Sequence, residues 1–117
     1  MHSLAAILAF MTSVSPLLAV VPAPQEPPQD PPRVLFLTHS AGFTHPVVRR
    51  AAQAKLAYAE TTLIEAAGDR LAITATQDCA AISAENLAGF DAVLFYTTGE
   101  LPIPESDQAA LLDWIRA

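Results

Sequence analysis

The chain has 117 residues, 52% of them hydrophobic and 15% charged, with six Lys and Arg against twelve Asp and Glu for a net charge of −6. This length supports one small domain at most, and scattered cations without a basic run argue against a nucleic-acid partner, because tracking phosphates needs clustered Lys and Arg to displace counterions. One cysteine makes neither an internal disulfide nor a thiolate zinc site, and the glycines at 42, 68, 89 and 99 lack the spacing of a dinucleotide fingerprint or a phosphate loop.

Residues 4–21 are apolar apart from Thr12, Ser13 and Ser15, and Pro16 interrupts them. A spanning helix needs about 20 uninterrupted residues, so a secretory leader over residues 1–23 is expected, with Ala19 and Ala23 as candidate cleavage ends. Met1-His2-Ser3 has no Lys or Arg, which keeps an uncleaved membrane anchor as the rival. The expected location is secreted or periplasmic, with no stable membrane span once the leader is cut. Residues 24–32 form a proline-rich linker within a run holding Pro22, Pro24, Pro27, Pro28, Pro31 and Pro32. Such a run stays near polyproline II and acts as a stiff spacer.

From Arg33 the sequence alternates strand and helix. Val34-Leu35-Phe36-Leu37 is the continuous apolar run of a strand buried on both faces. A polar loop, His39 to His45, follows. Pro46 then opens a helix, its missing N–H no loss there, with Val48, Ala52, Leu56, Ala59, Leu63 and Ala66 on the buried side and Arg49, Arg50, Gln53 and Glu60 on the other. Gly68 is placed as its left-handed cap, and Leu71–Thr76 is the second strand. Ser83 caps a short helical turn reaching Phe90. Ala92–Tyr96 is a third, fully apolar strand. Glu105 and Asp107 sit in the first turn of a last helix, where the dipole favours them, and Leu111, Leu112 and Ile115 are its expected buried stripe.

This order implies an α/β fold with a parallel sheet: a flavodoxin-like three-layer sandwich in strand order 2-1-3, the first strand central. Residues 33–117 are expected to be the amino-terminal part of a larger domain, because a long apolar third strand exposes an unpaired edge unless another strand follows.

In such sheets the ligand crevice lies beyond the carboxyl ends of the strands. That rule selects the loops after the three strands and brings His39, Ser40, Thr44, His45, Asp78, Thr97, Thr98 and Glu100 toward one rim. His45, at the start of the expected helix, is suited to donate to a substrate oxygen or shuttle a proton; the alternative is a histidine that caps the helix or packs beside Pro46. His39, directly after a buried strand, also fits a hydrogen-bonded, half-buried structural side chain. His39, His45 and Asp78 are chemically suited to zinc or non-haem iron, but their spacing is no ligand signature and no metal or cofactor is assigned. Cys79 lacks the strained turn that exposes a nucleophile and reads as a small buried side chain. Asp78 and Glu100 make an acid–base pair only if the fold brings them together; otherwise each caps a loop. Ser40 lacks the nucleophile-elbow setting.

Three segments carry a family likeness: RVLFLTHSAGFTH (33–45), FDAVLFYTTGE (90–100), and the helix from Asp107-Gln108-Ala109-Ala110-Leu111 through Trp114-Ile115-Arg116. Together they resemble the ThuA-like (trehalose utilisation) domains of the class I glutamine amidotransferase-like superfamily. The resemblance implies a flavodoxin-type sheet without the glutaminase Cys-His-Glu set, and a role in the catabolism of disaccharides or sugar derivatives. It carries over the rim positions Gly42, Phe43, His45, Thr98 and Gly99. The family's following segment, rich in glycine with a further histidine, would lie beyond Ala117.

The expected function is therefore an exported ThuA-like domain that binds or acts on a carbohydrate. In it His45 would position or protonate a sugar oxygen, and His39, Gly42, Phe43, Asp78, Thr98, Gly99 and Glu100 would line the substrate site. Rival readings are a non-catalytic sugar-binding or interaction module of a larger secreted protein, and an inactive fragment awaiting the remainder of its domain.

Overall fold

The structure, a computed structural model, describes residues 29–117; the expected leader and most of the proline-rich linker lie outside the described residues. Strand β1 (Arg33–Leu37) is central, flanked by β2 (Ala72–Thr76) and β3 (Ala92–Phe95), and both pairings are parallel in the order β2-β1-β3. The register sets Leu35 beside Thr74 on one side and Val93 on the other. The fold is thus the α/β, flavodoxin-like arrangement expected from the alternation of elements. No helix among the described residues is long and apolar enough to cross a membrane.

Alternate residues of a strand point to opposite faces, and β1 is covered on both. Leu35 and Leu37 pack with Cys79, Ile82 and Leu87, a core extended by Phe90, Val93, Leu101, Ile103, Leu111 and Trp114. That face holds α2 (Ala84–Leu87) and α3 (Glu105–Arg116). On the opposite face Phe36 looks across a groove toward the side of α1 (Tyr58–Ala67) that carries Ala59, Leu63 and Ala66. Ser83 caps α2 as expected, its hydroxyl accepting from the Asn86 N–H at 3.2 Å.

Three expectations need correction. The first helix does not run from Pro46: a single 3₁₀ turn, Pro46–Val48, is followed by irregular chain until α1 begins at Tyr58. The Val48 carbonyl, which a continuous helix would offer to an N–H four residues on, instead accepts from the Gln77 side chain at 2.7 Å, and Arg49 is extended. Glu60, assigned to the solvent side, is completely buried. A charged side chain goes inside only when paired and hydrogen-bonded, and Glu60 meets that condition. Its carboxylate accepts from Thr38 Oγ1 (2.8 Å), from Arg50 Nε (2.9 Å) and Nη2 (3.2 Å), and from the Ala57 N–H (2.8 Å). Finally, α3 turns Leu111 and Trp114 inward, leaving Leu112 and Ile115 exposed. Its apolar arc is wider than the layer beneath it.

Gly68 has the expected positive φ of 57°, but its ψ of −129° lies outside the left-handed helical basin. The open carbonyls at this end of α1 are met by Arg70, whose Nη2 donates to Ala66 O at 2.7 Å. Strand β3 is apolar as read, yet Leu94, Phe95 and Tyr96 keep about two-fifths of their surface exposed. Among the described residues β3 has β1 on one side only and is an edge, and its face toward α1 is uncovered.

Candidate functional site

The loops after β1 and β3 are joined tightly. Ser40 and Thr98 form a parallel bridge, the Ala41 N–H donates to Thr98 O at 2.8 Å, and the Thr98 hydroxyl donates to Phe43 O. Gly99 makes this approach feasible. Its φ is +72°, and a Cβ there would stand 3.0 Å from Ala41 C and Gly42 N, so only glycine fits. The crevice between β1 and β3, where reversal of strand order would place a ligand, is therefore filled by backbone. Gly42 and Gly99 build this junction.

The rim residues expected to converge are thereby divided. His45 lies on the same rim as Thr98, but its ring sits edge-on to Phe43 (centroids 5.0 Å apart) and to Tyr96 (5.8 Å). These two aromatic contacts, rather than a side-chain hydrogen bond to a described residue, position the His45 ring, and Phe43 is 68% exposed. Edge-to-face geometry of this kind is the preferred aromatic pairing. The fold does not bring Asp78 to this cluster. The Asp78 carboxylate accepts the Ala80 N–H at 2.9 Å and so caps the 3₁₀ turn Cys79–Ala81, while Glu100 is exposed. Among the described residues, no three His, Cys, Asp or Glu side chains gather in a group that would hold a metal ion. Cys79 is buried; burial first, and then the Asp78 charge, push its thiol above the usual range, which disfavours the reactive thiolate.

Two concavities stand out among the described residues. The larger, about 450 Å³, is a groove between α1 and β3 lined mainly by carbon, with Phe36, Leu63, Leu94 and Tyr96 among its walls. It is the uncovered strip of sheet described above. The smaller, about 350 Å³, opens between the carboxyl ends of β1 and β2 and is lined by His39, Ser40, Thr44, Val48 and Gln77. Three features mark the smaller cleft as the candidate site. Its walls are more polar than apolar, it sits at the strand ends, and the Ser40 hydroxyl is buried there without a partner among the described residues. Buried polar atoms are nearly always satisfied, so this orphan in the cleft wall marks a position whose bonding a group from outside the protein, such as an ordered water, would complete.

The cleft walls are held from below. His39 Nδ1 lies 2.9 Å from Gln77 O. The Gln77 side-chain NH₂ donates to Val48 O (2.7 Å) and Thr38 Oγ1 (3.2 Å), and Thr38 donates in turn to Glu60. Burial raises the Glu60 carboxyl, but the hydrogen bonds from Arg50, Ala57 and Thr38, with the Arg50 charge, outweigh it and hold the group below its ordinary range. Sequence reasoning named His39, Ser40 and Thr44 for the rim and set Gln77 in the selected loop after the second strand without singling it out, but missed Thr38, Glu60 and Arg50. Gln77 was within reach of the strand-end rule, as the first residue after β2. The ion pair carried no signal, since Arg50 and Glu60 both fell on the polar side of the expected helix.

Comparison of the chain with family models, with curated proteins and with solved structures gives no match.

Proposed function

We propose that this chain is an exported, ThuA-like α/β domain that binds a carbohydrate in the cleft between the ends of β1 and β2. The observation that carries the reading is the buried, unpartnered Ser40 hydroxyl in a small polar cleft that also presents His39, Thr44 and Gln77. Sugar sites combine several fixed hydrogen-bonding groups with apolar surface, and small-molecule clefts generally follow that pattern. Here Val48 supplies the apolar wall. The loop bearing Thr44 also carries Phe43 and His45, which with Tyr96 offer an aromatic edge for the rest of a larger saccharide.

The same lining favours binding over turnover. Among the described residues His39 is the one titratable side chain lining the cleft, so these residues offer no paired acid and base for glycosidic cleavage. His45 serves the aromatic edge in this reading, and Asp78 serves its turn.

The test is a titration of the isotope-labelled chain with trehalose and glucose, read by backbone amide shifts. Shifts clustered at residues 39–45 and 77, and lost in Ser40→Ala and His39→Ala, support the reading; shifts confined to the β3 groove, or none, overturn it. A His45→Ala variant with unchanged affinity would remove that residue from the site. Fractionation of the producing cell tests export, and a cytosolic product with residues 1–23 intact would refute it.

A further inference from the structure

The hydrogen-bond direction in the cleft is dictated from the buried Glu60 upward. A carboxylate and a backbone carbonyl accept and never donate. Thr38 Oγ1 therefore spends its hydrogen on Glu60 Oε2, 2.8 Å away, and can only accept from Gln77. Val48 O likewise compels the Gln77 amide nitrogen to face it, at 2.7 Å. Both amide hydrogens of Gln77 are then used inside the protein, and the group left over is Oε1, an acceptor. His39 follows the same logic. Gln77 O accepts only, so Nδ1 carries the proton, and in the neutral ring Nε2 is an acceptor without a partner among the described residues.

Among the described residues, no Lys or Arg lines the cleft. The one cation in the relay, Arg50, has its Nε and Nη2 turned onto Glu60. From this we propose that Glu60 is a positioning residue that fixes the cleft as an acceptor-lined site, taking a neutral ligand that donates hydroxyl hydrogens to His39 Nε2 and Gln77 Oε1 and discriminating against phosphorylated or carboxylated ones. The Thr44 hydroxyl, free to turn either way, completes the set. An anionic oxygen set against His39 Nε2 and Gln77 Oε1 would face lone pairs without a donor in return, and unmet polar groups of this kind oppose binding strongly.

The inference rests on the carbohydrate reading above, and the experiment separates the two. The full chain is titrated with trehalose, methyl glucoside, glucose 6-phosphate and inorganic phosphate, while long-range ¹H–¹⁵N spectra report the His39 tautomer. The neutral sugars should shift the amides of residues 39–45 and 77, with phosphate and the phosphate ester at least about ten-fold weaker, and the His39 proton should reside on Nδ1. Phosphate or its ester binding as well as the neutral sugars would overturn the acceptor assignment and leave the carbohydrate reading standing. Failure of every sugar, neutral or phosphorylated, would overturn both. Glu60→Gln, which replaces the obligate acceptor by a group that also donates, should narrow the preference for neutral over anionic probes. A folded Glu60→Gln protein with unchanged selectivity would refute the role of Glu60, and Gln77→Ala offers a second variant, at a partly exposed position, with the same selectivity readout.

Discussion

Replacing Glu60 with alanine removes the acceptor of four hydrogen bonds at once: one from Thr38, two from Arg50 and one from the Ala57 N–H. Truncating one partner of a buried ion pair costs about 3–5 kcal/mol, chiefly because the other charge is stranded. Here the Arg50 side chain is 28% exposed and can turn toward water, so the lower end, about 3 kcal/mol, is the expected loss. For a domain of this size that corresponds to a fall in Tm of roughly 15 °C. Urea unfolding followed by circular dichroism measures it directly, and Arg50→Ala with the double variant closes a cycle in which the second change should add little to the first. The pH dependence has a definite sign. The folded-state pKa of Glu60 is depressed, so its contribution is fully present above the ordinary carboxyl value and is lost as pH falls through the depressed one. A loss below about 1 kcal/mol in Glu60→Ala, or additive single variants, would refute the claim that this carboxylate holds the cleft floor.

Gly99→Ala forces a Cβ against Ala41 and Gly42 at positive φ; it should cost about 2–3 kcal/mol and speed exchange of the Ala41 amide, and wild-type stability would contradict the close approach. Asp91 is held below the usual carboxylate range first by the Arg33 backbone N–H and then by the Arg33 side chain, so an NMR titration of Arg33→Ala should return its midpoint only part of the way. The small stabilisation from Asp91 belongs to pH above the free carboxyl value and disappears as pH falls through the lowered one. Asp78→Ala removes a turn cap and should cost about 1 kcal/mol while leaving sugar-induced shifts unchanged; weakened binding would restore Asp78 to the site. The uncovered β3 edge should drive concentration-dependent self-association in ultracentrifugation, and Leu94→Lys, at a position 44% exposed, should suppress it with little loss of stability.

Local pattern determined much of this protein. The unbroken run Val34–Leu37 marked a strand buried on both faces, the alternation of apolar runs with helical stretches implied a parallel sheet in the order 2-1-3, and Ser83 announced its helix by its capping chemistry. These features follow from steric and solvation rules acting over a few residues, which is why they are legible along the chain. Tertiary structure decided the rest. Residues 49–57 have ordinary helical composition, yet Gln77, from the end of β2, captures the Val48 carbonyl and Arg50 swings onto Glu60, so helix formation is deferred to Tyr58. Position along the chain likewise placed His45, Asp78 and Glu100 on one rim. Whether they meet depended on the Ser40–Thr98 bridge, which fills the β1–β3 crevice and leaves a smaller opening beside β2. Contacts between residues tens of positions apart carry no periodicity of their own. Their energy comes from pairing groups that only the folded chain brings within bonding distance.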